Sequence, residues 1–379
     1  MVCIQWLLIF HCIIVERNFQ IVGRTDDKEL EHRYFRMIFA LVVVLHHYFP
    51  KTWCGYFAVD FFFIVSGFFL MKSYNKYDDT DRPHNLRFCA HKLMSFLPYL
   101  IVAEIIAAIT VLGIQLANNG DWNAGMGLAW NQLKNILCLS MLNIYKGDVT
   151  WYLSAMILST AILYPCVRAF KEKFSRIIAP IIGIVLLLAI IISTGRTNYI
   201  DELLLGFICK GLILGISDMC LGIFSYEVVE YLRRLGDGDS KRMVYTAMEV
   251  ICYLTVLVCI FIVQPRGESW RGAFEFTMIA LLFIGTTITL SNLSYTYDLT
   301  MKQDWLWRHA NVLSIGSLMI YLNHEYVIKF WKHLNFDIPN PVSIMMVILL
   351  TTIMSVICYY AGKMLYDRMK RIDVNELMS

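Results

Sequence analysis

Residues 344–360 of the chain read IMMVILLTTIMSVICYY, and residues 181–192 read IIGIVLLLAIII. Neither stretch contains a charged residue, and their apolar side chains follow no period of 2 or 3.6. An α-helix needs roughly 20 apolar residues to cross about 30 Å of hydrocarbon, whereas the strands of a membrane barrel alternate apolar and polar residues. The two stretches therefore predict membrane-spanning helices, and we predict an all-α, polytopic integral membrane protein.

The composition of the whole chain favours the same class. Hydrophobic residues fill 58% of the 379 positions and charged residues only 17%, with a mean hydropathy of +0.56, whereas a soluble domain has about a quarter charged residues. The net charge of +3 is small, and the basic residues lie in short loops beside the spans rather than in one patch. We therefore expect no nucleic-acid partner. Most of the 11 cysteines lie inside apolar runs and none forms a C-x-x-C pair, so we expect no metal site.

The apolar runs and the polar connectors between them predict about ten spans. We place these spans at residues 36–49, 56–71, 94–117, 151–169, 176–194, 203–226, 244–263, 272–290, 310–331 and 342–365. The chain then divides into an N-terminal extension (1–35), a transmembrane domain (36–365) and a tail (366–379). Residues 131–145 are amphipathic, and we expect an interfacial helix there.

The first fifteen residues are apolar but short. At 1.5 Å per residue they form about 22 Å of helix, which is less than the hydrocarbon thickness. An interfacial helix or a start codon placed too early is therefore favoured over an eleventh span.

The distribution of Lys and Arg predicts the orientation. If residue 36 begins on the cytoplasmic side, the cytoplasmic segments hold 24 of the 33 basic residues and the opposite side holds 8. Positively charged loops remain on the cytoplasmic side of a membrane. We therefore expect both termini in the cytoplasm and the chain in the plasma or inner membrane, surrounded by lipid.

The first two predicted spans are rich in polar side chains. Arg36 opens the first span, and His46 and His47 follow about 15 to 16 Å further along the helix axis. Asp60 lies just inside the second span, with Ser66 about two turns further on. Ionisable residues are costly within hydrocarbon and are functional candidates by default. His47 could take a proton from a hydroxyl near neutral pH, and Asp60 could orient it; the alternative is a histidine pair within an interfacial aromatic belt.

The same two spans carry a resemblance. Residues 36–47, RMIFALVVVLHH, and residues 55–68, GYFAVDFFFIVSGF, resemble the opening blocks of the acyltransferase-3 family. Those blocks have an arginine with a histidine eleven residues on, then G-x-x-x-V-D-F-F leading to S-G. Weaker matches are residues 151–165, which begin WYLS and end at a proline, and residues 321–324, YLNH. The matching blocks occur in the same order as in the family, along residues 33–365.

The resemblance implies a function. Family members transfer an acyl group, usually acetyl, from a cytoplasmic coenzyme A thioester to a hydroxyl of a glycan or other extracytoplasmic molecule. It implies that His47 is the catalytic base or handles the acyl group, and that Arg36 lies on the donor side. Asp60, Ser66 and Gly67 would shape the channel, and Gly67 would let a backbone or a thin ligand approach closely. We expect direct transfer or a separate acyl-accepting protein.

The donor side departs from the family pattern in one place. The family often carries arginine-x-x-arginine before a proline-tyrosine pair, but residues 91–99 read HKLMSFLPY. Lys92 and Ser95 thus occupy the two arginine positions, and Arg87 lies nearby. Lys92 and Arg87 are candidates for donor binding, and equally for positive anchors at the membrane surface.

Further candidates lie elsewhere in the chain. His324 and Glu325 fall within the ninth predicted span, where they contribute to an acceptor cavity or form a buried structural pair. We also assign His46 and Trp151 to the acceptor side. Asp148 precedes the fourth span, and a helix N-cap explains it more simply than a contact with the acceptor.

A transporter or exporter of a glycan or lipid is the competing class. It too would need about ten spans with polar groups inside them. Transporters often show paired halves or interrupted helices in matching positions, and the sequence shows no such symmetry. An acyltransferase is therefore the prediction, and an exporter of a glycan or lipid is the alternative.

Overall fold

The computed structural model describes residues 30–49, 54–77, 82–145, 147–198, 200–204, 208–236, 238–263, 270–302, 304–336 and 339–371. Within these ranges the chain is almost entirely helical, which confirms the predicted fold class. The helices are α1 (Leu30–Tyr48), α2 (Phe57–Asn75), α3 (Asn85–Asn119), α4 (Trp122–Lys134), α5 (Trp151–Lys173), α6 (Ala179–Thr194), α7 (Lys210–Arg234), α8 (Asp239–Ile262), α9 (Arg271–Ser291), α10 (Tyr295–Lys302), α11 (Asp304–Leu334) and α12 (Asn340–Arg371).

Seven helices in the described part are long and apolar enough to cross a membrane. They match predicted spans in position, although the count of about ten stays a prediction. Several are longer than predicted, because polar residues extend the helix beyond the apolar run, as at both ends of α3. The prediction for residues 1–15 lies outside the described residues.

One of the seven, Trp151–Thr194, doubles back on itself. It is 44 residues long, about twice what a crossing needs, and Lys171 breaks it with φ 48° and ψ −128°. Before the break, α5 runs along α7 in the same direction. Ser175 follows the break, and its Oγ donates to the Glu227 carboxylate of α7 at 2.8 Å. After the break, Ser217 Oγ of α7 donates to the Gly183 carbonyl at 2.8 Å. α5 and α6 are therefore two antiparallel helices, in line with the two spans predicted there.

Helix α2 lies at the centre of the bundle and packs most extensively on α7. The two backbones touch: a Cβ on Gly67 would lie 2.1 Å from the Met219 carbonyl oxygen, and a Cβ on Gly222 would lie 2.0 Å from that of Ile64. Gly67 thus admits a neighbouring backbone rather than a thin ligand. Small residues commonly allow such close helix contacts in membranes.

The outer helices show apolar side chains to their surroundings. Ile192 on α6 is 82% exposed, Ile262 on α8 73% and Ile109 on α3 65%. Large apolar side chains exposed to this extent are costly in water but suit lipid. Together with the seven long apolar helices, they place the protein in a membrane.

The predicted positions of two elements are wrong. The helix expected at residues 131–145 is α4, which begins at Trp122 because Asp121 caps it by accepting from the Ala124 amide at 3.0 Å. After α4 the chain forms two short 3₁₀ turns. Where a span was expected to begin, two short antiparallel strands, β1 (Leu203–Leu204) and β2 (Ile208–Cys209), pair with each other before α7 begins.

Candidate active site

A cavity of about 560 Å³ lies between α2, α3 and α5. Successive turns of α3 direct Arg87, His91 and Ser95 along one face, since residues four apart are neighbours on a helix. Aromatic side chains form part of its wall, where Phe88 stacks on Tyr164 with ring centroids 3.8 Å apart. We call it the basic cavity, and its polar lining residues are Ser66, Ser73, Lys76, Arg87, His91, Lys92, Ser95 and Thr160.

A second cavity, of about 150 Å³, lies deeper in the bundle. We call it the inner cavity. Arg36 of α1 and Lys92 of α3 both line it, so two cations from different helices face one small space. Its remaining lining residues are Phe62, Ser66, Ser95, Phe96, Tyr152, Leu153, Met156, Ser317, Leu318 and Tyr321.

The two cavities adjoin each other. Ser66, Lys92 and Ser95 line both of them. At this junction the Ser66 and Tyr152 hydroxyl oxygens are 3.1 Å apart. A polar path therefore leads from Arg87 through the junction to Arg36.

A histidine cluster lies next along the same path. The ring of Tyr321, which lines the inner cavity, is 5.8 Å from the ring of His324, one turn further along α11. The His324 ring is in turn 4.9 Å from that of His47, and His47 is 5.5 Å from His46. The histidine cluster (His46, His47 and His324) therefore joins α1 to α11 beyond the inner cavity.

A network of carboxylates borders this cluster. Glu325 accepts from the Val149 amide at 3.3 Å and pairs with Lys329 at 2.6 Å. Next to Val149, the Asp148 carboxylate accepts hydrogen bonds from Gln132 and from the Thr150 amide. Burial raises the pKa of the Asp148 carboxyl, and the nearby Glu325 carboxylate raises it further.

The same network fixes the loop between α4 and α5. The Gln132 amide also donates to Glu104 of α3 at 2.9 Å, and the Tyr321 hydroxyl donates to the Val149 carbonyl. The loop is thereby held against both α3 and α11.

Comparison with known proteins identifies the family of the chain. A family model described as an acyltransferase domain, Acyl_transf_3, matches residues 31–360. The chain belongs to the acyltransferase-3 family. Neither the curated proteins nor the solved structures contain a match. The protein is thus a membrane acyltransferase, and the resemblance of its two opening sequence blocks to the family is confirmed.

The structure of this acyltransferase-3 chain groups most of the predicted site residues. Arg36, Lys92 and Ser66 meet at the inner cavity, with Arg87 in the basic cavity beside it. His46, His47, His324 and Glu325 lie together beyond it. Trp151 is separate, because its ring packs against Gly211 and Phe63. Asp148 lies two residues before Thr150, which occupies the N-cap position itself.

Asp60 is placed away from His47. Its carboxyl group interacts with those of Asp218 and Glu275, and only 1% of the residue is exposed. Glu275 in turn accepts from the Tyr56 hydroxyl at 2.5 Å. Among the described residues, the groups that act on His47 are His46, His324, Glu325 and Lys329. No contact among the described residues therefore supports the predicted role of Asp60 in orienting His47.

Some residues of the acyltransferase-3 site were not predicted from the sequence. Tyr321 precedes His324 by three residues, so helical spacing already places the two on one face. Glu104 interrupts a long apolar run and is 2% exposed, and an ionisable residue at that depth is itself a functional signal. Tyr152 and Ser317 carried no such signal, because a lone hydroxyl in an apolar helix is common.

Proposed function

We propose that this acyltransferase moves an acetyl-sized acyl group from cytoplasmic acyl-coenzyme A to a hydroxyl of an extracytoplasmic glycan or another cell-envelope molecule. One observation carries the proposal. The basic cavity and the inner cavity share lining residues, and the histidine cluster lies one helical turn beyond the inner cavity, in a bundle that belongs to an acyltransferase family.

The basic cavity suits the nucleotide end of the donor. Coenzyme A carries several phosphate charges, and Arg87, Lys92 and Lys76 line the cavity, with His91 among them. Charge-assisted hydrogen bonds from such groups to phosphate are the stronger class. The aromatic wall around Phe88 offers a surface for the adenine ring.

The inner cavity suits the thin arm that joins the nucleotide to the thioester. Its small volume of about 150 Å³ excludes the nucleotide and admits a narrow chain. His47 follows Arg36 by eleven residues of α1, which is about 16 Å of helix. That length is comparable with the arm, so the thioester would reach the histidines while the phosphates stay at the basic residues.

The chemistry is a direct acyl transfer. The acceptor oxygen attacks the thioester carbonyl carbon, a C–O bond forms and the C–S bond breaks. The hydroxyl proton passes to an imidazole and then to the departing thiolate. General acid–base catalysis of this kind contributes about 10²- to 10⁴-fold to a rate, and the resemblance assigns His47 to the reacting centre.

The carboxylates beside the histidines bear on the acceptor. Glu325 acts on His47 and pairs with Lys329, and Asp148 and Glu104 interact with Glu325. Such a lining repels anions and accepts hydrogen bonds from hydroxyl groups. A neutral, hydroxyl-rich acceptor such as a glycan fits this end, whether the acyl group reaches it directly or through a separate acyl-accepting protein.

The proposal is tested by transfer of label from acetyl-coenzyme A, with envelope glycan as acceptor, in membranes that contain each variant. Wild type should label the glycan, and His47→Ala should reduce labelling at least 100-fold, because the reacting centre loses its imidazole. His333→Ala, which removes a histidine from the last turn of α11, is the matched control and should label normally.

Two results would contradict the proposal. Equal labelling by His47→Ala and wild type would remove His47 from the reacting centre. Absence of labelling by the wild type with any glycan or acyl donor would favour the exporter class, which would instead show His47-dependent movement of unmodified glycan.

A further inference from the structure

The tautomer of His324 is fixed by its own helix. His324 Nδ1 lies 2.7 Å from the Tyr321 carbonyl oxygen and 3.3 Å from that of Ile320. Carbonyl oxygens only accept hydrogen bonds, so Nδ1 must carry the hydrogen. In the neutral ring, Nε2 is then the unprotonated nitrogen with a free lone pair.

That lone pair is buried and has no partner. His324 is 0% exposed, and its Nε2 makes no hydrogen bond within the part of the chain that the structure describes. A buried polar atom without a partner is costly and calls for an explanation. The ring centroids of His324 and His47 are 4.9 Å apart, so this nitrogen belongs to a ring that packs against the histidine assigned to the reacting centre.

We propose that His324 Nε2 takes the proton of the acceptor hydroxyl, and that His47 donates its ring N–H to the carbonyl oxygen of the thioester. This division of labour rests on the proposed function. As the acceptor oxygen bonds to the carbonyl carbon, its proton moves to His324 Nε2. When the C–S bond breaks, the thiolate receives that proton, and His324 returns to its starting state.

The fixed tautomer favours this assignment. Once Nε2 is protonated, the positive charge of the ring is stabilised by the Nδ1–H bond to the Tyr321 carbonyl. A second histidine that supplies an N–H to the developing oxyanion complements this base, since one such donor is worth about 10²- to 10³-fold in rate. The two roles together account for two histidines in contact.

Charged groups on several elements act on His324 and on its neighbour His47. His46 and His47 come from α1, and Lys329 comes from α11 itself. Glu325 of α11 acts on His47, and it interacts with Asp148 of the loop before α5 and with Glu104 of α3.

The test is the pH dependence of kcat/KM for acetyl transfer, because its acidic limb reports the essential base of the free enzyme. His47→Gln keeps an N–H donor, so it should retain a reduced rate with the acidic limb unchanged. His324→Gln removes the base, so it should lose about 10²- to 10⁴-fold in rate and show no acidic limb. His333→Gln is the matched control on the same helix and should follow the wild-type profile.

The opposite pattern would overturn the inference: an acidic limb that disappears in His47→Gln and persists in His324→Gln. If His324→Gln does not fold, His47→Gln still tests the inference: an acidic limb that survives without His47 supports a base other than His47, and a limb that disappears with His47 overturns it. Wild-type membranes that transfer no acyl group at all would instead refute the proposed function, which separates the two failures.

Discussion

Lys92 is the side chain that links the two cavities. It lines both of them, together with Ser66 and Ser95, and it stands where the family often has the first arginine of a pair. Lysine is a compact point charge, whereas arginine binds phosphate in a bidentate manner. A single lysine at the junction is therefore expected to attract the donor without fixing one phosphate geometry.

We expect Lys92→Gln to weaken donor binding. Loss of a hydrogen bond to a charged group costs about 1.5–3 kcal/mol, which corresponds to roughly 10- to 150-fold. The KM for acetyl-coenzyme A should rise by about that factor, while kcat changes less because the thioester can still reach the histidines. Steady-state transfer rates at increasing acetyl-coenzyme A concentration measure both constants.

The matched control is Lys173→Gln, since Lys173 is an exposed basic residue in the last turn of α5. It should keep the wild-type KM. An unchanged KM in Lys92→Gln, or the same increase in Lys173→Gln, would mean that Lys92 does not contact the donor.

Among single residues, the grouping of the basic side chains was predicted from the sequence better than the grouping of the carboxylates. Arg36, Lys92 and Arg87 were chosen from charge and from resemblance, and the structure gathers them around adjoining cavities. The carboxylate network was only partly foreseen, because Glu104 and Gln132 come together only when α4 packs against α3 and α3 packs against α11. Such pairings depend on residues far apart in the chain.

At the scale of elements, the contact between α2 and α7 holds the centre of the bundle. Two glycines let the backbones touch, Gly67 on α2 and Gly222 on α7. A side chain added at either glycine would meet the carbonyl oxygen of Met219 or Ile64. These are backbone atoms, which cannot rotate away as a flexible side chain could. Because α2 carries Ser66, the helix spacing also sets the junction of the cavities.

We expect Gly67→Ala and Gly222→Ala each to destabilise the bundle. The added methyl group would force the helices apart, and overpacking of this kind costs about 1–3 kcal/mol. Thermal inactivation in detergent, followed by loss of the monodisperse peak in size-exclusion chromatography, measures the effect. Both variants should lose that peak at a lower temperature than the wild type.

Gly113→Ala provides the control, because nothing lies within 4 Å of a Cβ built at Gly113. The thermal stability of this variant should match or slightly exceed that of the wild type, since alanine is more favourable than glycine within a helix. A Gly67→Ala or Gly222→Ala variant as stable as Gly113→Ala would show that the two backbones are not in contact.

Sequence patterns were sufficient to predict the long helices but not every shorter element. Long apolar runs marked the helices, because burial in lipid dominates their free energy. The pairing of β1 with β2 was missed, since residues 203–209 are as apolar as the span that follows. The shift of the interfacial helix to α4 followed from one cap at Asp121, a local interaction that hydropathy does not register.

At the scale of the whole molecule, the basic cavity and the histidine cluster are expected to face opposite sides of the membrane. The basic cavity lies at the end of the bundle where the positive loops predict the cytoplasm, and the histidine cluster lies further along the path. A donor that enters at Arg87 and an acceptor that binds beyond His47 would meet only inside the protein. Transfer should therefore depend on the side from which the donor is supplied.

The most direct test is acetyl transfer in sealed vesicles of known orientation that contain the wild type and envelope glycan. Labelled acetyl-coenzyme A is added outside only. We expect inverted vesicles, which expose the cytoplasmic face, to accumulate labelled glycan in the lumen, and right-side-out vesicles to accumulate none until they are permeabilised. Equal labelling in both orientations, or labelled glycan on the side that received the donor, would contradict the account.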